Sequence, residues 1–286
     1  MSQILAVLFD GFAYGMLLFL LSVGLSVTLG LMNFINLAHG AFAMIGGYVT
    51  YSLVAFAGWP FLATLPFAFL VTAIIAAGFE VLLFRRIYQS GELNQVLFTI
   101  GFVFSASAIA AYMFGTVHHS VPMPSLLTGY VELGTIKLPS YRIFLAAIAL
   151  VVTVFVVGGL EYTRFGAMVR AAVDNQKVAR GLGLNVGKIF ALTFAIGSGL
   201  AGLGGALSIE ILSLDPSFGF HILVLVLIVV AVGGLGSIWG SFVAAACLGI
   251  FDVMGKYLFP ELGSFLIYLF MVVLLFYKPL GLFGKR

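Results

Sequence analysis

Apolar residues run in long unbroken stretches along this chain, and polar residues are confined to short intervals between them. A helix needs about 20 residues to cross a bilayer. Stretches of that order recur at Ile4 to Leu31, Ala41 to Ala57, Phe61 to Phe84, Val96 to Phe114, Ile143 to Leu160, Ile189 to Glu210, Ile222 to Leu235, Phe242 to Met254 and Phe265 to Phe276. Two of them are short and bounded by glycine, so the pattern predicts eight or nine spans. The alternation of a transmembrane β-strand is absent, and a backbone in hydrocarbon must satisfy its own hydrogen bonds, which leaves helices. The prediction is an all-α polytopic membrane protein with some helices short or broken, forming a single domain over residues 1–286.

Composition agrees: 63% of the residues are hydrophobic and 8% charged, which excludes a soluble domain. Ten of the thirteen basic residues fall on one side if the spans alternate: Arg85 and Arg86, then Arg164, Arg170, Lys177, Arg180 and Lys188, then Lys278, Lys285 and Arg286. Positive loops stay cytoplasmic, so this side and the C-terminus are placed in the cytoplasm. The opposite side receives an outer loop at about 116–141, with His118 and His119, together with Ser213 to Phe220 and Phe259 to Glu261. The start, Met1-Ser2-Gln3, carries no Lys or Arg and no cleavage signature comes after it, so it reads as a retained helix. The net charge of +3 comes from the loops and forms no basic face for nucleic acid. A single cysteine, Cys247, permits neither an internal disulfide nor a cysteine metal cluster.

The longest charged interval lies within a loop at about 163–188 and reads FGAMVRAAVDNQKVARGLGLNVGK from Phe165 to Lys188. Asp174 precedes NQKVARGLG, so its carboxylate can cap a short helix that Gly181 or Gly183 then ends. Val178, Ala179 and Leu182 are expected to share one face of it. Two readings stand open here, a solvated connector obeying the positive-inside rule and a helix that docks into a groove on a soluble partner.

A second polar interval, Gly30-Leu-Met-Asn33-Phe-Ile-Asn36-Leu-Ala-His39-Gly40, puts two amides and an imidazole inside an apolar stretch. Such groups are costly in lipid unless they face a partner, a cavity or water, and a broken helix is tolerated only where it is buried or lines a cavity. Asn33, Asn36, His39 and Gly40 are therefore candidates for a translocation pathway or gate, or else for glue between helices. The third interval, Gly233-Gly234-Leu-Gly236-Ser237-Ile-Trp-Gly240, has no preceding strand and no Lys-Ser/Thr, so it is not a phosphate loop. Its glycines suit a turn that packs two helices closely.

Three elements resemble the LivH/LivM-type permeases, the membrane subunits of ATP-binding-cassette importers for branched-chain and other hydrophobic amino acids. The charged loop and the helix after it are similar from Arg164-Phe-Gly-Ala-Met-Val-Arg170 through Asn175, Ala179, Gly181, Gly183, Leu184 and Asn185 to Ser198-Gly-Leu-Ala-Gly202. MNFINLAHGAF resembles the family's N-terminal signature, with Asn36-Leu37 standing between the Phe-Ile pair and Ala38. Gly233 to Ser237 resembles its late Gly-Gly-x-Gly-Ser turn. Together they keep the family's order from about Gly11 to Gly281, closer to the LivH type.

The resemblance implies a permease in a bacterial inner membrane whose cytoplasmic coupling helix, here Ala172 through Gly183, seats on an ATPase subunit. Arg170, Asp174, Asn175, Val178, Ala179, Arg180, Gly181, Leu182 and Gly183 would make that contact. The implied partners are two ATPase subunits carrying ATP and magnesium, a second homologous permease, and a periplasmic or lipoprotein binding protein. The chain itself shows no Walker loop, no Ser/His/Asp arrangement and no metal set, so no catalytic residue and no cofactor is assigned to it. The span centres lack charge, which favours neutral or zwitterionic solutes with apolar bodies. A self-sufficient carrier or channel is the competing class, and it would need a coupling carboxylate for which only Asp10 and Asp252 are candidates. Within the family, relatives for urea, short amides or aromatic acids are not separated by these residues.

Overall fold

The computed structural model describes residues 2–32, 34, 36–88, 90–134 and 136–284. In chain order the helices are α1 (Ser2–Met32), α2 (His39–Ala55), α3 (Phe61–Leu82) and α4 (Glu92–Phe114). A hairpin of β1 (Tyr130–Leu133) and β2 (Ile136–Pro139) comes next, then α5 (Ser140–Glu161), α6 (Arg164–Asp174), α7 (Gln176–Gly181) and α8 (Val186–Leu212). The chain finishes with α9 (Phe218–Gly233), α10 (Ile238–Leu258) and α11 (Gly263–Tyr277). Each apolar stretch of the sequence falls on one of these helices. Six of them, α1, α3, α4, α5, α8 and α10, are long and apolar enough to cross a membrane, and α9 and α11 are shorter apolar helices. The chain is a multi-pass membrane protein. The hydropathy pattern does not predict the hairpin: β1 and β2 pair antiparallel in the loop between α4 and α5, Tyr130 opposite Pro139 and Leu133 opposite Ile136.

The helix α8 is the hub. Of its most apolar window 78% is buried inside the protein, against 17% for α4, which stands at the periphery. Around α8 pack α1, α2 and α3, and α10 lies along α1. Lipid tails are as apolar as leucine, so helices in a bilayer associate through dispersion and close backbone approach rather than through the hydrophobic effect. Small residues on α8 allow that approach. A Cβ on Gly46 of α2 would fall 2.1 Å from the Gly202 carbonyl oxygen, and one on Gly205 would fall 1.9 Å from that of Ala43. Phe42, Phe84, Phe102 and Phe194 fill the space beside these contacts, with the Phe42 and Phe194 rings edge to face at 5.7 Å.

Polar side chains lock the ends. Arg142 at the start of α5 pairs with Asp10 of α1 at 2.7 Å, and Lys256 pairs with Asp252 within α10 at 2.5 Å. At the other end Arg85 holds the fully buried Glu80 at 2.9 Å and donates to the Gly187 carbonyl at 3.1 Å, which ties α3 to the start of α8. Tyr88 also donates to Glu80, and burial together with that carboxylate pushes its phenol pKa up. Toward the end of α1, the Ser26 hydroxyl meets that of Ser241, in the first turn of α10, at 2.5 Å.

Gly46→Val should overpack the α2–α8 contact by about 1–3 kcal/mol, lowering the melting temperature in detergent by several degrees. Gly158→Ala on α5, where an added Cβ meets nothing within 4 Å, should leave it unchanged or slightly raised. Scanning fluorimetry of both purified variants decides.

Candidate functional site

The polar break lies between α1 and α2. Asn33 lies outside the described residues; Asn36, His39 and Gly40 are described, and all three are buried. His39 opens α2, and its Nε2 is 2.8 Å from the carbonyl oxygen of Leu21, in the middle of α1. The chain therefore leaves α1 at Met32 and runs back alongside it before helix resumes, so α2 starts at mid-depth. Phe34 anchors the returning segment, its ring edge to face with Phe84 at 5.9 Å and with Tyr88 at 4.9 Å.

The start of α2 has no side-chain cap; its turn closes through the N–H groups of His39, donating to Asn36, and of Ala41 and Phe42, both donating to Ala38. Among the described residues, neither polar atom of the Asn36 amide nor the Nδ1 of His39, all buried, has a hydrogen-bond partner. Buried unpaired groups of this kind cost about 1–3 kcal/mol each. The arrangement can therefore offer hydrogen bonds to a guest once the surrounding helices part. In the state described it is sealed. A Cβ on Gly24 would meet the Gly197 carbonyl oxygen at 2.0 Å and the His39 ring at 2.9 Å, and one on Gly40 would meet the Gly219 oxygen at 2.0 Å.

The glycine turn closes the same region from the other side. A Cβ on Gly30, at the end of α1, would lie 2.1 Å from the Gly236 Cα, so the flank of the polar break rests on the turn between α9 and α10. Gly234 and Gly236 take φ of 98° and 78°, the left-handed region that suits glycine. Gly233 faces Gly240, and the Ser237 hydroxyl caps α10 by accepting from Gly240 N at 3.0 Å.

Beside the break, α2 forms one wall of a cavity of about 920 Å³ between α2, α3 and α4. Met44, Phe79, Phe98, Phe102 and Phe114 make its surface apolar, and Ser52 and Ser105 are among its few polar residues. A strap crosses above it. His119 and Leu214 bond as a β-bridge, His118 Nδ1 sits 3.2 Å from Asp215, and the His119 Nε2 is 3.0 Å from the Phe114 carbonyl oxygen. The two histidines thus serve different partners. Burial alone would raise the Asp215 pKa, but hydrogen bonds from Ser217 and the nearby His118 and His221 outweigh it and hold the carboxyl below its usual range.

The charged interval forms two helices where the sequence suggested one over Ala172 to Gly183. In α6 the Gly166, Val169 and Ala172 positions turn inward and Arg170 is exposed. Asp174 does not cap α7, because it is the last residue of α6. Asn175 does: its Oδ1 accepts from the N–H groups of Lys177 and Val178, both at 3.1 Å. The shared face is also corrected. Ala179 is buried against Val186, Ile189 and Phe190, whereas Val178 is 56% and Leu182 75% exposed. Val178 and Leu182, four apart, share one outward face, and Ala179, about 100° round from Val178, turns inward. Gly181 ends α7, and Gly183 lies beyond it with φ 84°. Arg180, Val178 and Leu182 are left projecting from the tip.

The site residues missed by sequence are those supplied by other helices, Leu21, Gly197 and Gly219 around the break, and none of them carried a local signal.

A family model described as branched-chain amino acid transport system, permease component, matches residues 7–275. The permease protein LivH of the high-affinity branched-chain amino acid transport system of Escherichia coli K12 is 28% identical over 97% of this chain and 94% of its own length. BraD of Pseudomonas aeruginosa, a permease protein of a similarly named system, is 26% identical over 97% and 95%. LivM of Salmonella typhimurium is 28% identical over 93% of this chain and 68% of its own. No solved structure matches.

Replacing His39 with alanine forfeits its bond to α1 and should destabilise the purified protein by about 1–3 kcal/mol. Asn36→Leu, which gives up no bond within the fold, should melt at or above the parent temperature in the same detergent.

Proposed function

This chain belongs to the family of branched-chain amino acid transport permeases, and we propose that it forms part of the solute pathway of an ATP-binding-cassette importer. The observation that carries this reading is the family match over residues 7–275 of a chain with six membrane-length helices. The relatives' names support branched-chain amino acids as the solutes. The apolar cavity beside α2 supports an apolar solute body, and the unpaired Asn36 and His39 groups support recognition of a polar head.

Counting α2, α9 and α11 with the six long helices gives nine crossings, with the N-terminus outside and the C-terminus in the cytoplasm of a bacterial inner membrane. Positive loops support that orientation, since Arg85, Arg86, Arg164, Arg170, Lys177, Arg180, Lys188 and Lys278 all belong to one end. On this orientation the strap of His118, His119 and Asp215 faces a binding protein, and α6 with α7 faces the ATPase subunits. Those subunits hold ATP and magnesium, and their closure is relayed through α7 into α8. The similarity to both LivH and LivM supports pairing with a second, homologous permease.

In this mechanism α1 and α2 part from α8 and α9 at Gly24–Gly197 and Gly40–Gly219. The solute then reaches Asn36 and His39, whose unpaired groups gain hydrogen bonds only in the opened state. Asp10 and Asp252, the carboxylates that a self-sufficient carrier would use, are each engaged by a cation in the fold.

Two measurements test this. The chain co-expressed with its genomic neighbours should co-elute with ATPase subunits, and the triple variant Val178→Glu, Arg180→Glu, Leu182→Glu should lose that co-elution while its membrane fold melts normally; retained co-elution would remove α7 from the contact. Asn36→Ala should cut uptake about tenfold in proteoliposomes with the complex intact, and transport by the chain alone would establish a carrier.

A further inference from the structure

A second cavity, of about 320 Å³, opens between α3 and α5 with α8 as its floor. Its wall is hydrocarbon: Val27, Phe69, Val156, Ile196 and Leu200 contribute, and the hydroxyl of its one polar side chain, Thr193, is already bonded to the Ile189 carbonyl at 2.8 Å. The volume is roughly ten times the ~30 Å³ share of one water in the liquid. A zwitterionic solute entering it would find no partner for either charge, and water would find none of the two to four polar groups it needs. Phe155, 75% exposed, stands at the open side, so the cavity communicates with the bilayer.

Its end toward the basic loops is different in chemistry. Leu160 and Phe165 close it there, the latter in the first turn of α6. The Arg170 guanidinium donates to the Leu160 carbonyl at this rim, and Arg164 opens α6 beside Phe165; both arginines are exposed, as is Glu161. Two cations against one carboxylate leave the rim positive at the level where the α5 helix leaves the membrane. We propose that this is a phospholipid site: one acyl chain fills the cavity between α3 and α5, and an anionic headgroup lies against Arg164 and Arg170. Hydrocarbon satisfies the dry wall, and the arginine fork suits a phosphate in geometry and charge. The chain of such a lipid packs on Phe165, so it braces α6 against α5 and α8.

The purified full-length chain should retain dioleoyl phosphatidylglycerol in native mass spectrometry and melt several degrees higher with it than with dioleoyl phosphatidylcholine or inorganic phosphate. Arg164→Gln with Arg170→Gln should reduce the preference for the anionic lipid at least fivefold. Gly159→Phe, placed where a Cβ meets nothing within 4 Å, should fill the cavity and lower retention of both lipids without lowering the lipid-free melting temperature. Equal retention of the two lipids by the parent, or unchanged retention in both variants, overturns the site. Stabilisation by phosphate alone would assign the arginines to a free anion and overturn it as well. None of these readouts depends on ATPase co-elution, so the lipid site and the importer reading fail separately.

Discussion

The contact of α8 with α1 and α2 at backbone distance is the constraint on which the rest of the architecture depends. In water such helices would be driven together by burying apolar surface; in a bilayer that drive is absent, and only dense packing remains. Glycines on α8 facing Gly24, Ala43 and Gly46 supply it. Between α1 and α2, Phe34, Asn36 and Ala38 are buried, and the Asn36 amide and the His39 imidazole lie in the interior with them. The aromatic cluster of Phe34, Phe42, Phe84 and Phe194 fills what the small residues leave open.

Charge is distributed in a complementary way. Ion pairs occupy the two ends of the bundle, where water moderates the penalty of a carboxylate, and the middle holds neutral polar groups only. Asn36 and His39 are the exceptions that need explanation, because the fold leaves hydrogen-bonding capacity unused where it is most costly. On the importer reading proposed above, the same atoms that destabilise the closed arrangement gain partners when it opens.

The helices were legible because length and hydropathy in lipid are set by bilayer thickness, a constraint local to each stretch. The two polar breaks were legible for the same reason: few residue types are tolerated where they stand. Finer features depended on a single residue of register. Asp174 and Asn175 are both good caps, and α6 running on through Asp174 decided between them. Partners across the fold left no trace in the sequence, since nothing near Gly30 points to Gly236 and nothing near Gly40 points to Gly219. The hairpin after α4 escaped notice because its strands are short and mostly exposed, without the alternation that burial on one face imposes.

The strap joining His119 to Leu214 gives α8 a mechanical character. At one end this helix begins just after α7, with Asn185 capping it, and at the other its sequence passes within two residues into the β-bridge. Its 27 residues make a rod about 40 Å long. A tilt of about five degrees at the α7 end would swing the far end by roughly 3 Å along such a rod, enough to break a hydrogen bond. The loop after α4 is thus fastened to the tip of a rod whose other end carries α7.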